Sequence, residues 1–361
     1  MTETEACIAL NMVPNLGPVR LRKLLEIFET PAQVLGARPA QLRQAEGVGP
    51  ELSEAISQWE KHVDLAAELK RIGEFGAHVL TRSSPLYPPA LAEIYNPPIV
   101  LYVWGQLTPD DWRAISVVGS RKTSHYGLDC AKKLSYQLAY AGVTVVSGLA
   151  RGIDTAAHQG ALAAQGRTVA VIGSGLMDLY PVENLALAEK IAASGAVVSE
   201  FPMTFPPSPQ TFPYRNRIVA GWSTGLLVVE AGLKSGALIT ANQALEQGRA
   251  VYAVPGQIDR PTAAGSNRLI QQGAKLVTGA GDVLDELHSL LPKTRPETPA
   301  AALSAEEKMI LDALDSSETA LDELVAKTGL PAPKVSSTLL ALEMKRLVKK
   351  LPGQHFVRFE V

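Results

Sequence analysis

The chain has 361 residues, 46% of them hydrophobic and 19% charged, a globular balance with material for two or three domains. A formal net charge of −2 argues against a molecule that is basic throughout, so any surface for a polyanion has to be local and offset by acid elsewhere. Two cysteines, Cys7 and Cys130, without CxxC spacing count against a disulfide scaffold and a cysteine-based zinc site.

The start, MTETEACIAL, is acidic and lacks the basic region of a secretory signal. No apolar run approaches the ~18 residues that span a bilayer, so the expectation is a reduced, cytoplasmic protein without a membrane partner. Residues 1–78 read as a helical domain punctuated by glycine turns. In NLGPVRLRKLLEIF (15–28), Val19, Leu21, Leu24, Leu25 and Phe28 fall at helical spacing behind a Gly-Pro turn. EGVGPELSEAI (46–56) repeats the plan, with Gly47 and Gly49 ahead of an amphipathic helix. The pair resembles helix-hairpin-helix (SAM-like) units, whose glycine turns offer backbone N–H groups to a phosphate. A small bundle with capped turns explains the same residues without nucleic acid, and the first turn has Gly17 alone.

Proline-rich loops in YPPALAEIYNPP lead to the strand-like IVLYVWG. Within 79–292, short β-branched runs (ISVVG, VTVVSG, TVAVIG, AVVSE, GLLVVEA, AVYAVPG) alternate with longer helical patterns. Apolar runs without alternation suit strands buried on both faces. The rhythm predicts an α/β domain, a Rossmann-like doubly wound parallel sheet. KTRPETPAAA (293–302) reads as a linker. Residues 303–361 open with a capping box, Ser304 with Glu307, and continue as helix, helix-turn-helix and two strands, the pattern of a winged helix. Eight Lys and Arg there face nine Asp and Glu. Lys345, Arg346, Lys349 and Lys350 gather at one end of the predicted recognition helix. That balance favours a module that contacts protein or binds DNA weakly.

Ligands of parallel α/β sheets sit beyond the carboxyl ends of the strands, and the residues there are specific. ISVVG is followed by Ser120 and Arg121, and VTVVS by Gly148, Arg151 and Asp154, the last read as an N-cap. TVAVI leads to Gly173, Ser174 and Gly175, AVVS to Glu200, and GLLVV to Glu230 and then Lys234, Ser235 and Gly236. In SGLARGIDTAAHQGAL (147–162), Gly148 and Gly152 leave backbone N–H groups open, a helix N-terminus adds partial positive charge and Arg151 a full one. An anion is the natural guest. The competing reading is a tight strand-helix turn in which Arg151 pairs with Asp154. His158, a turn inside the helix, is expected to be structural.

The GxGxxG fingerprint is incomplete in GSGLMDLY, and no GxxxxGK[ST] loop occurs, so dinucleotide and NTPase chemistry are disfavoured. TFPYRNRIVAG (211–221) alternates Phe212, Tyr214, Arg215 and Arg217. Arginine neutralises phosphate and an aromatic face stacks a splayed base for about 1–3 kcal/mol, a combination suited to single strands. An ordinary exposed loop with core aromatics is the alternative. For catalysis only Glu200 and Glu230 stand out, and either would equally well orient the arginines.

Together VGSR (118–121), SGLARGIDTAAHQGAL, AVIGSGLMDLYP, FPYRNRIVAG, VVEAGLKSGALITA (228–241) and AVPG look like the DprA (Smf) family of DNA-processing proteins, over roughly 80–280. The resemblance implies a non-enzymatic single-stranded-DNA-binding protein of natural transformation. Such a protein protects incoming strands and loads RecA recombinase onto them, displacing single-strand-binding protein. It further implies a homodimer through the Rossmann-like domain and no cofactor. Residue by residue it places DNA contacts on Gly119, Ser120, Arg121, Gly148, Arg151, Phe212, Arg215, Asn216 and Arg217, with Lys234 a weaker addition. Three positions depart from the family pattern: Tyr214 where a basic residue is common, Trp222 where leucine is common and Ala237 where serine is common. Two rivals stay open. One is a nucleoside-monophosphate phosphoribohydrolase with Glu230 catalytic, against which GLLVVEAGLKSGALIT replaces the PGGxGTxxE element of such enzymes. The other is a winged-helix transcription regulator with a sensor domain.

Overall fold

The structure, a computed structural model, describes residues 1–290, 304–314, 319–344, 348–351 and 355–358. The chain divides into two compact units, Met1–Leu291 and Pro292–Val361. In the first unit a nine-stranded sheet is built from β1 (His78–Thr81), β2 (Val100–Gly105), β3 (Ala114–Val118), β4 (Thr144–Ser147), β5 (Thr168–Val171), β6 (Ala196–Ser199), β7 (Gly225–Val228), β8 (Ala250–Ala253) and β9 (Lys275–Leu276). Their spatial order is β1-β2-β6-β5-β4-β3-β7-β8-β9. The pairs from β6 across to β9 are parallel, while β1–β2 and β2–β6 are antiparallel.

Every residue of β3, β4, β5, β6 and β7 is buried. This is why their sequences are apolar without alternation: each face of the sheet lies under helices. Ile115 and Val117 of β3 pack into one layer, and Ala114 and Val118 of the same strand into the other. The expected α/β, doubly wound, Rossmann-like class is the one found. The chain winds outward from β3 to β6, then returns to lay β7 on the other side of β3. Connections leaving β3 and β7 therefore diverge, and a crevice opens between them.

Residues 1–78 fold as six helices of four or more residues ahead of β1, among them Glu3–Met12, Pro18–Ile27, Pro50–Ser57 and Leu65–Phe75. Gly17 and Gly49 are N-caps, each followed by a proline at the first helical position, where the missing N–H costs nothing. The apolar side chains of these helices share one cluster with Tyr102 of β2 and Val197 of β6. Two long-range hydrogen bonds fasten the same seam. Asn11 Nδ2 donates to the Glu200 carbonyl at 2.8 Å, and the Met203 N–H donates to the buried Glu68 carboxylate at 2.7 Å.

In the second unit, β10 (Thr319–Ala320), β11 (Val348–Leu351) and β12 (His355–Arg358) form an antiparallel sheet in the order β10-β12-β11, with helices Ala305–Ala313, Leu321–Thr328 and Ala332–Met344. Its core includes Ile310, Leu324, Leu339 and Phe356. The winged helix is present, opened by the reciprocal Ser304–Glu307 capping box. Lys349 and Lys350, assigned from sequence to the end of the recognition helix, lie in β11 instead. Lys345, Arg346 and the linker at 293–302 lie outside the described residues. No helix of the described residues is long and apolar enough to cross a membrane.

Candidate nucleic-acid interface

Beyond the carboxyl ends of β3, β4 and β7 lies a crevice of about 880 Å³. Its walls are the loop after β3 (Val118–Lys122), the turn after β4 with Gly148 and Asp154, the start of the helix Thr211–Trp222, and the segment from Gly232 to Thr240 after β7. Pro207, Ser208 and Pro209 form a rim.

The loop carrying Arg121 is held in shape from below. The Ser120 N–H donates to the Glu230 carbonyl at 2.7 Å, and Ser120 Oγ donates to the Lys122 carbonyl at 2.7 Å. Glu230 Oε2 accepts from Thr123 Oγ1 at 2.5 Å and from the Ser124 N–H and Oγ, both at 2.9 Å. Burial raises the Glu230 pKa, but the hydrogen bonds from Thr123, Thr262 and Ser124 outweigh it and hold the carboxyl below its ordinary value. Glu230 is thus a strut for the β3 loop. Gly119 is glycine because the helix that follows β4, Ile153–Ala163, comes so close: a Cβ there would lie 2.5 Å from Ile153 Cγ1.

The turn after β4 corrects one expectation. The helix starts at Ile153 with Gly152 as its N-cap, so Asp154 sits inside the first turn. Its Oδ2 accepts from the N–H groups of Gly148 and Ala150 at 3.2 and 3.3 Å. The Gly148 N–H, which the sequence offered to a ligand, is thus already taken. The space a Cβ would take at Gly148 is filled as well, with Arg215 Nη2 and Asp154 Oδ2 each 2.7 Å away. Gly152, at φ +81°, would bring a Cβ to 2.5 Å from the Ser120 carbonyl. These glycines serve close packing, and the positive charge of the crevice comes from side chains.

Burial raises the Asp154 carboxyl to about 6, with Arg215 and the turn's N–H groups pulling the other way. Burial likewise lowers Arg215 to about 10, with Asp154 opposing. Arg215 Nη1 donates to the carbonyls of Gly148, at 2.7 Å, and of Val171. His158 is fully buried with Nδ1 2.7 Å from Thr168 Oγ1, and burial drops its pKa to about 3. It is structural, as expected.

The aromatic and cationic run at 211–217 is helical, and a helix turns its residues apart by 3.6 per turn. Phe212, Arg215, Asn216 and Val219 consequently share the crevice face. Tyr214 and Arg217 point elsewhere: the Arg217 guanidinium lies 4.6 Å over the Tyr214 ring, and its Nη2 donates to Glu200 Oε1 and Oε2 at 2.5 and 2.7 Å. Arg215 and Arg217 are only 4% and 7% exposed. Of the ten residues picked from the sequence, Gly119, Ser120, Arg121, Gly148, Phe212, Arg215, Asn216 and Lys234 line the crevice, whereas Arg151 lines an adjoining recess and Arg217 neither.

That recess, about 20 Å³, joins Arg121, Arg151, Tyr180 and Phe212. The four form a tier. Arg121 lies 4.9 Å over the Phe212 ring, Phe212 and Tyr180 have centroids 5.7 Å apart, and Arg151 lies 6.0 Å over the Tyr180 ring. Arg151 is ion-paired to Glu183, not to Asp154. Sequence reasoning missed Tyr180, Lys122 and Glu183. Tyr180 follows β5 in AVIGSGLMDLYP, and Lys122 adjoins Arg121, so position past a strand end was the available signal for both. Among the described residues no group of three His, Cys, Asp or Glu is placed to hold a metal.

Comparison with known proteins bears on what fills such a crevice. The family model described as DNA recombination-mediator protein A matches residues 78–288, and that of the DprA winged helix domain matches residues 294–354. Protein Smf of Synechocystis sp. is 36% identical over 97% of this chain and 98% of its own length. The X-ray structure of DNA processing protein A from Streptococcus pneumoniae superposes with a TM-score of 0.71 at 37% identity, covering 79% of this chain and 99% of that one. DNA processing protein A from Helicobacter pylori, solved for its single-stranded DNA binding mode, gives a TM-score of 0.53 at 26% identity over 59% of this chain and 96% of that one.

Proposed function

Since this chain belongs to the DprA (Smf) family of DNA recombination mediators, we propose that it binds single-stranded DNA in the crevice beyond β3 and β7, shields it, and loads RecA recombinase onto it in place of single-strand-binding protein. The tier of Arg121, Phe212, Tyr180 and Arg151 carries this reading. Two adjacent aromatic rings flanked by guanidinium groups match unstacked bases with a phosphate on either side. Duplex DNA keeps its bases stacked and offers the rings nothing. The cations at hand are Arg121, Lys122, Lys234 and Arg151; Arg215 and Arg217 shape the site from within.

The protein acts as a cytoplasmic homodimer and as a binding mediator, not as a catalyst. The commitment of Glu230 to Thr123 and Ser124 speaks against its use as a hydrolytic acid. In functional terms residues 79–292 hold the strand, 1–78 buttress them, and 303–361, beyond the linker at 293–302, contact protein or bind DNA weakly.

Fluorescence anisotropy with labelled oligothymidylate and a duplex counterpart across a salt series tests the reading. Four phosphate contacts predict a log–log slope of about −2.8 on the single strand, with the duplex held more weakly. Equal or tighter binding of duplex would overturn it.

A further inference from the structure

The two exposed arginines of the tier differ in one respect. Both lie over a ring, but Arg151 is also joined to a carboxylate, Glu183, with the two side chains 58% and 51% exposed. Exposed pairs of this kind contribute little to folding, so the contact has to be explained at the mouth of the recess. Glu183 is not there by the drift of a long side chain. It belongs to the single turn Val182–Asn184, and the next residue fastens that turn to its surroundings: Asn184 Nδ2 donates to the Leu149 carbonyl at 2.8 Å and to Thr155 Oγ1 at 2.9 Å. The carboxylate is therefore tethered beside Arg151, which in turn keeps the Glu183 pKa below the ordinary carboxylate range.

We propose that Glu183 stands in for a backbone phosphate on Arg151, and that this makes the crevice selective for a polynucleotide strand over free nucleotides. The inference rests on the single-strand reading above. A short tether gives the carboxylate an effective concentration on the order of millimolar. A free nucleotide meets that competitor at its bulk concentration and loses. A strand already anchored at Arg121 presents its neighbouring phosphate through a tether of its own, at comparable effective concentration, and a phosphodiester carries the same single charge and two non-bridging oxygens as a carboxylate, so the exchange on Arg151 is nearly even. Only a ligand with linked phosphates displaces Glu183.

The test is Glu183→Gln, alone and combined with Arg151→Gln, measured with oligothymidylate in the anisotropy assay and with unlabelled dTMP as competitor. Glu183→Gln should tighten strand binding several-fold, and dTMP should then displace the strand at concentrations that leave the unaltered protein loaded. In the Arg151→Gln background the gain should vanish, because the competition has lost its object. Unchanged or weaker strand binding by Glu183→Gln overturns the proposal. So does a gain that survives Arg151→Gln, which would report only the removal of one negative charge from the neighbourhood. If the unaltered chain binds no oligothymidylate, the single-strand reading falls first and this inference with it.

Discussion

Arg121 and Arg151, and against them Arg215 and Arg217, are four copies of one side chain put to two uses. The first pair rides on loops past β3 and β4, exposed, over aromatic rings. The second pair is sunk into the helix Thr211–Trp222, bound to carbonyls and to Glu200. A guanidinium near a binding site is a ligand contact only where it keeps access to solvent. Buried, it fixes the walls against which the contact is made.

That division is open to direct challenge. The largest effect is expected in the buried pair: Arg217→Ala leaves Glu200 uncompensated in the interior and should cost about 3–5 kcal/mol of stability, read by denaturant unfolding. Replacing both partners together, Arg217→Met with Glu200→Leu, should recover most of that loss. If Arg217→Ala unfolds like the parent but fails to bind DNA, the division into struts and contacts is wrong. The reverse pattern belongs to the exposed pair. Arg121→Glu with Arg151→Glu should abolish oligothymidylate binding, by at least ~100-fold or about 2.7 kcal/mol, while the unfolding midpoint barely moves.

The smallest of the three effects concerns pH. Asp154 is held at about 6 in the fold by burial, against about 3.9 when unfolded. Between those values the folded state binds a proton that the unfolded state does not. Stability should therefore fall by up to ~2 kcal/mol as pH rises from about 4 to about 6, and level off above. Asp154→Asn should flatten that limb of the unfolding profile; an unaltered slope would assign it to other groups.

Much of this arrangement was legible in the sequence. The β-branched runs announced a sheet buried on both faces, the rule that ligands sit past strand ends pointed to Arg121, Gly148 and Lys234, and the aromatic and cationic run at 211–217 pointed to Phe212. What escaped was angular and tertiary. The run FPYRNR reads as alternation along a line, but a helix splits it, sending Phe212 and Arg215 into the crevice and Tyr214 and Arg217 away from it. Gly148 suggested room for a ligand, when the room belongs to Arg215 and Asp154, residues 67 and 6 positions along the chain. No local pattern encodes a neighbour that arrives from so far away. Glu183 was missed for a related reason: it acquires meaning only once Arg151 is seen beside it.

The seam between the first 78 residues and the sheet has a consequence for how this chain can change over time. Helices that share a core with Tyr102 and Val197, and that tie themselves to the backbone at Glu200 and Met203, cannot be traded as a cassette between proteins. Any replacement would have to come with matched substitutions in β2 and β6, and so the front of the chain is bound to drift in step with the sheet it covers.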